Sequence, residues 1–151
     1  MRSLVKKFAV VAGVVAMASV AAPAAQAGAA AAKTVTTCPG TELHKEGLPK
    51  SLTNQLGEAT GTLRLWYSSA NGGTNCAKVY DNASGSHSMS VSIRTETMPT
   101  PVTDSGSFST FAGGVVVTGT NGHCIYVSGS LSLGTGSVNQ FRASAGPVAC
   151  G

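Results

Sequence analysis

The chain of 151 residues is 42% hydrophobic and 11% charged, and its formal net charge is +4. Three of its ten basic side chains, Arg2, Lys6 and Lys7, lie at the very start of the sequence. Residues 28–151 therefore carry seven basic side chains against six acidic ones, scattered along the sequence, which disfavours electrostatic binding to nucleic acid. This length fits a single domain with a modest core.

The first predicted element is a secretory signal peptide over residues 1–27. The basic start is followed by the apolar run 8–20 and then by Ala25-Gln26-Ala27, which has the A-x-A pattern of a cleavage site. The apolar run is shorter than the roughly 20 residues that a membrane-spanning helix needs, and no later run approaches that length. We expect cleavage after Ala27, a secreted protein and no membrane anchor.

Next comes a predicted flexible, Ala-rich leader over residues 28–37, followed by a single β domain over residues 38–151. The segment 41–61 is the least readable part of that domain. The spacing of its leucines, with Pro49 in the first turn, permits one short helix over residues 48–57. An irregular loop is an equal alternative for this segment.

From residue 62 onward the sequence alternates with the two-residue period of β-strands. Leu63, Leu65 and Tyr67 share one face of the first predicted strand. Arg64 and Trp66 lie on its other face. The sequence therefore places the tryptophan on the side opposite the leucines.

Further strands and turns follow at short intervals. An Asn-Gly-Gly turn at 71–73 leads into a return strand at 75–80. Residues 88–94 alternate apolar side chains with serine, which predicts a half-exposed strand with a serine-covered outer face. Residues 98–101 contain two prolines and predict a loop or a sheet edge.

The strongest hairpin signal lies within residues 104–130. Two apolar runs, 114–118 and 124–127, flank Asn121-Gly122, a dipeptide typical of two-residue hairpin turns. Two more strands are expected after this segment, which gives seven or eight short strands in all. The sequence therefore predicts an all-β fold, either an antiparallel β-sandwich or a closed Greek-key barrel.

Four cysteines in an exported chain predict two disulfides. Zinc is the alternative use, but no two of these cysteines have the close spacing of a zinc-binding pair. Of the three connectivities we favour Cys76–Cys124, which would join two strand-like segments, and Cys38–Cys150, which would tie both ends of the domain together.

No recognisable catalytic, cofactor or metal motif is present in the sequence. No serine lies in G-x-S-x-G, the three histidines have no local motif, and the carboxylates show no paired arrangement. His123 is expected at the surface, and Asp104 is expected to cap a turn. We therefore predict a protein that is not an enzyme and uses no cofactor or metal.

The only tryptophan gives the one specific site hypothesis. An exposed Trp66 beside Arg64, with Tyr67 and Tyr80 nearby, could form a stacking platform for a sugar ring or another flat ligand. Alternatively, both faces of this strand are covered and Trp66 fills a second core. Of the two interpretations we favour packing.

Two blocks of the sequence carry a family resemblance. The first is GTLRLWYS at 61–68 with GTNC at 73–76; the second runs from Asp104-Ser105-Gly106 through FAG at 111–113 to Cys124. These blocks resemble the spore-associated protein A family, small secreted proteins of filamentous actinobacteria. The chain departs from the family pattern in having Gly114 in place of a proline and Val127 in place of a tryptophan. The resemblance implies a non-enzymatic association with the spore surface or cell envelope, without implying particular ligand residues.

Three functions stay open from the sequence. The first is a structural or accessory protein of the cell envelope or spore surface, with cell-wall or spore-surface components as partners. The second is a module that binds envelope glycan through Trp66, Arg64, Tyr67 and Tyr80. The third is a secreted protease inhibitor or antimicrobial protein, for which the only candidate loop is 98–101.

Overall fold

The computed structural model describes residues 33–151 as ten β-strands and one 3-10 turn. The predicted all-β fold is confirmed. In chain order the elements are β1 (Lys33–Thr34), β2 (Thr41–Glu42), β3 (Lys50–Thr53), β4 (Ala59–Ser68), β5 (Thr74–Tyr80), β6 (His87–Thr95), β7 (Val102–Phe108), β8 (Phe111–Thr118), β9 (Ile125–Ser132), the turn Ser137–Asn139, and β10 (Gln140–Val148).

Eight of the strands form an antiparallel, nearly closed barrel. Their order is β8-β5-β4-β3-β10-β9-β6-β7, and β1 and β2 add short pairings to β8 and β4. The gap in the barrel lies between β7 and β8, and one hydrogen bond bridges it, from the backbone N–H of Gly113 to Asp104 Oδ2 at 2.8 Å. Asp104 therefore joins the two end strands, and its predicted role as a turn cap is wrong.

The predicted hairpin within residues 104–130 is also wrong. β8 pairs with β5 and β1, whereas β9 pairs with β6 and β10. The Asn121-Gly122 turn exists, but it leads the chain from one ladder into another. Turn chemistry determines where the chain reverses, while long ladders elsewhere in the barrel determine which strands pair.

Residues 48–57 do not form a helix. They contain β3, which pairs with both β4 and β10. Leu52 is fully buried, but Leu56 is 65% exposed. The leucine spacing was therefore misleading, because only part of the expected apolar helix face is buried.

The barrel interior is filled by the apolar positions of the alternating strands. Gly129 on β9 lies at an inward position, where a Cβ atom would come within 2.2 Å of Val79 Cγ2. A glycine is therefore needed here for Val79 to pack against the backbone of β9. The largest fully buried apolar side chains are Leu52, Leu63, Leu65, Val79, Met89, Val91, Ile93, Val115, Val117, Ile125 and Leu131.

Two disulfides are present, as predicted, but both favoured pairs are wrong. The structure joins Cys38 to Cys76 and Cys124 to Cys150. Cys38 follows β1, which runs beside β8, the neighbour of β5 that carries Cys76. Pairing of Val148 with Ile125 brings the chain end to the start of β9, next to Cys124. Both ends of the described domain are thus fastened to neighbouring segments, and two disulfides are typical of a protein that folds outside the cytoplasm.

Part of the predicted leader belongs to the folded domain. Val35 and Gly114 exchange backbone hydrogen bonds of 2.9 and 2.8 Å, which extend the pairing of β1 with β8. The predicted signal peptide and residues 28–32 lie outside the described residues. Within residues 33–151, no helix is long and apolar enough to cross a membrane.

Candidate functional site

The outer face of β4 and β5 carries the predicted tryptophan site. Alternation along β4 directs Leu63 and Leu65 into the barrel and Arg64 and Trp66 outward, as the sequence indicated. Trp66 is half-buried and lies opposite Cys76 on β5. Its indole is therefore neither enclosed in a core nor fully surrounded by solvent.

Trp66, Arg64 and Tyr80 come together on this face. The ring centroids of Trp66 and Tyr80 are 6.5 Å apart, and the Arg64 guanidinium carbon lies 4.8 Å from the centre of the Tyr80 ring. Phe111 of β8 continues the row, with its ring centroid 5.7 Å from that of Tyr80. We call the set Arg64, Trp66, Tyr80 and Phe111 the Trp66 patch.

Glu42 brings an acidic group to the edge of the Trp66 patch. It lies on β2 directly opposite Trp66, and its Oε2 atom is 3.5 Å from an Arg64 guanidinium nitrogen. Glu42 Oε1 and Arg64 Nε are buried atoms without a hydrogen-bond partner among residues 33–151, so they are not accessible to a ligand on this face. The Arg64 and Glu42 side chains as wholes are 39% and 19% exposed, so the edge of the patch presents an oppositely charged pair beside an aromatic surface.

Tyr67 lies apart from the other three predicted site residues. Its side chain follows the inward phase of β4 at one end of the barrel, and its hydroxyl donates a hydrogen bond to Asn121 Oδ1 at 2.9 Å. It lines a small pocket of about 190 Å³ with Leu43 and Ala149. The structure therefore does not bring Tyr67 together with Trp66.

Lys78, which the sequence pattern did not single out, lies on the same outer face of β5 as Tyr80 and adjoins the Trp66 patch. Lys78 is only 4% exposed, and its ammonium group donates a hydrogen bond to the backbone carbonyl of Thr36. The same nitrogen lies 3.9 Å from the centre of the Phe111 ring. Burial lowers the pKa of Lys78. The alternation of β5 already places Lys78 on the same face as Tyr80, and this pattern could have predicted a lysine beside the aromatic residues.

Two histidine–carboxylate pairs lie outside the Trp66 patch. His87 Nδ1 is 2.6 Å from Asp81 Oδ2, and the Asp81 side chain is fully buried. His123 Nδ1 is 2.9 Å from Glu96 Oε1 near the surface, and the hydrogen bond with His123 is the main cause of the lowered pKa of Glu96. Among the hydrogen bonds of residues 33–151, none joins a serine hydroxyl to either histidine.

The chemistry of the Trp66 patch is that of a binding surface. Its half-buried rings offer apolar faces, while Arg64 and Glu42 offer polar groups at one edge. A saccharide has the complementary arrangement, since its ring has an apolar face and hydroxyls around the rim. In the part of the chain that the structure describes, no cluster of three or more His, Cys, Asp or Glu side chains could hold a metal ion.

The chain matches no protein-family model, no curated protein and no solved structure. The resemblance to the spore-associated protein A family therefore stays a prediction.

Proposed function

We propose that this protein is a secreted, non-enzymatic component of the cell envelope or spore surface, and that it attaches by binding a wall glycan at the Trp66 patch. The observation that carries the proposal is the half-buried indole on the outer wall of the barrel, next to the Arg64–Glu42 pair. A saccharide ring stacked on Trp66 would bring its hydroxyls to the exposed parts of the Arg64 and Glu42 side chains.

The rigid support of the Trp66 patch favours a binding role. β4 and β5 share seven consecutive cross-strand pairs, from Thr62↔Tyr80 to Ser68↔Thr74, and their inward side chains are fixed in the barrel core. The disulfide at Cys76 lies directly opposite Trp66. Because the aromatic groups are held in place before a ligand arrives, little conformational entropy is lost when a ligand binds.

Sedimentation with purified wall polymers tests the glycan part of the proposal. The exported protein should sediment with peptidoglycan or another wall polysaccharide, and Trp66→Ala should weaken retention. If a ligand covers about 60 Å² of the indole, at about 25 cal/mol per Å² the loss is about 1.5 kcal/mol, or roughly ten-fold in Kd.

Tyr67→Ala is the matched control, because it removes an aromatic side chain from the adjacent residue of β4, outside the patch. Equal retention of Trp66→Ala and the wild type would refute the binding site. The location is tested separately: the native protein should co-fractionate with envelopes or spore washes, and recovery from the medium alone would refute attachment.

The inhibitor hypothesis gains no support from its loop. Met98 packs against the barrel core, and its backbone N–H donates a hydrogen bond to the carbonyl of Thr95. The loop 98–101 therefore does not present its longest side chain to a protease. An inhibition screen against secreted proteases remains the direct test.

A further inference from the structure

The strands β6, β9 and β10 carry two open grooves on their outer face, away from the Trp66 patch. The grooves have volumes of about 470 Å³ and about 400 Å³. Ser128 and Ser144 line both of them, so the two grooves form one continuous depression. We call it the hydroxyl groove.

Serine side chains form the floor of the hydroxyl groove in cross-strand rows. Ser92 on β6 pairs with Ser128 on β9, which pairs in turn with Ser144 on β10. Ser90 and Ser130 form the neighbouring row. The serine-covered outer face predicted for residues 88–94 thus continues over two more strands.

Three basic side chains line the hydroxyl groove. Lys50 Nζ donates a hydrogen bond to the carbonyl of Ser144 at 2.8 Å, which holds the ammonium over the gap between β3 and β10. Arg142 is exposed beside it. At the other end, the Arg94 guanidinium carbon lies 4.5 Å from the centre of the Tyr126 ring.

The positive charge of the hydroxyl groove is not neutralised by nearby acids. None of the three basic groups lies within 4.0 Å of a carboxylate among residues 33–151. No Asp or Glu lines either groove. Arg142 shares a cross-strand row with Ser90, and Arg94 lies further along β6, so the two arginine Cα atoms are about 16 Å apart at standard sheet spacings.

We propose that the hydroxyl groove binds a linear polysaccharide whose sugar rings carry carboxylates. The groove is open and long enough for a chain to lie across several strands, and its serines can donate and accept hydrogen bonds with sugar hydroxyls. Basic groups at both ends complement a polymer with repeated negative charges. This site is separate from the Trp66 patch, and its test does not depend on the proposed function.

Affinity electrophoresis provides the test, with polygalacturonate in the gel as the acidic polysaccharide. The exported protein should be retarded by polygalacturonate, and less so as ionic strength rises. Dextran, which is neutral, and polyglutamate, which is anionic but not a sugar, should retard it much less. Replacing both arginines, Arg94→Gln with Arg142→Gln, should weaken binding about two- to thirty-fold, as expected for two exposed ion pairs.

Lys45→Gln is the control for a lost surface charge, because Lys45 is exposed and lies outside the hydroxyl groove. It should change retardation by less than about two-fold. Thermal unfolding of each variant separates lost binding from lost folding. Retardation that survives the double arginine change in a folded protein would overturn the proposal. Equal retardation by polyglutamate or double-stranded DNA would also overturn it, since the groove would then recognise only negative charge.

Discussion

The disulfide between Cys38 and Cys76 fastens the segment after β1 over Lys78, and changing both cysteines to serine should release that segment. The two cysteines are 38 residues apart in the chain. The entropy of closing such a loop in the unfolded chain corresponds to about 4 kcal/mol, a large part of the roughly 5–15 kcal/mol of a typical domain. The variant should therefore unfold at a markedly lower urea concentration.

Lys78 reports the local consequence of this change. In the folded protein Thr36 accepts a hydrogen bond from the Lys78 ammonium, and the lysine side chain is buried. Acetylation by an amine-reactive reagent, followed by mass spectrometry of tryptic peptides, should show Lys78 protected in the wild type. In Cys38→Ser with Cys76→Ser, its labelling rate should rise towards that of exposed Lys45.

The second disulfide supplies the matched control. Cys124 and Cys150 are 26 residues apart, so the variant with both changed to serine should lose about 3.5 kcal/mol. It should still protect Lys78 under native conditions, because the segment after β1 stays attached. Continued protection of Lys78 without the Cys38–Cys76 bond would refute the reasoning. Peptide mapping that found Cys38 joined to Cys150 would refute its premise.

Three further changes test the packing and the charges of the barrel. Gly129→Ala puts a Cβ atom 2.2 Å from Val79 Cγ2, so the free energy of unfolding should fall by about 1–3 kcal/mol. Adding Val79→Ala removes the clashing atom, so the double variant should lose less stability in urea unfolding than the sum of the two single losses. A double variant whose loss equals that sum would contradict the clash. His123→Ala should raise the pKa of Glu96 towards its usual value; an NMR titration would show it, and an unchanged pKa would count against the hydrogen bond. The lowered pKa of Lys78 means that the unfolded chain holds its proton more tightly, so wild-type stability should rise as the pH approaches 10.5. Lys78→Met should lack that contribution when urea midpoints at pH 7 and pH 10 are compared, and an identical rise would contradict it.

Alternation was the most informative sequence signal. It correctly separated the inward Leu63 and Leu65 from the outward Trp66, because a strand buried on one face must repeat with a period of two. The same signal gave the serine-covered face of β6. The spacing of Leu48 and Leu52 permitted a helix, with an irregular loop as the equal alternative, and neither anticipated β3; a short strand next to a turn can also bury two leucines four residues apart.

The sequence pattern could not predict which distant strands and cysteines pair with one another. The partner of β8 and the partner of Cys76 depend on how the barrel closes, and closure depends on contacts between distant segments. Lys78 was missed for the same reason, since only the path of β1 along β8 brings Thr36 above it. Predicting the hydroxyl groove would also have required the strand register. The alternation of serines along one strand does not reveal which serines of the neighbouring strand lie opposite them.

The two proposed surfaces lie on different walls of the barrel, and this placement allows a stronger prediction than either surface alone. The Trp66 patch lies on β4, β5 and β8, while the hydroxyl groove lies mainly on β6, β9 and β10. The two sites share no residue, so Trp66→Ala should leave retardation by polygalacturonate unchanged, and the double arginine variant should retain binding to a soluble wall glycan. On intact envelopes both surfaces can engage at once, and the second contact forms at a high effective concentration. Because the two affinities then multiply, weakening either surface should lower binding to envelopes by about the same factor as it lowers binding to that surface's soluble probe, even though the other surface is intact. Much smaller losses on envelopes than on the soluble probes would show that each surface holds the protein independently and that the two do not act together.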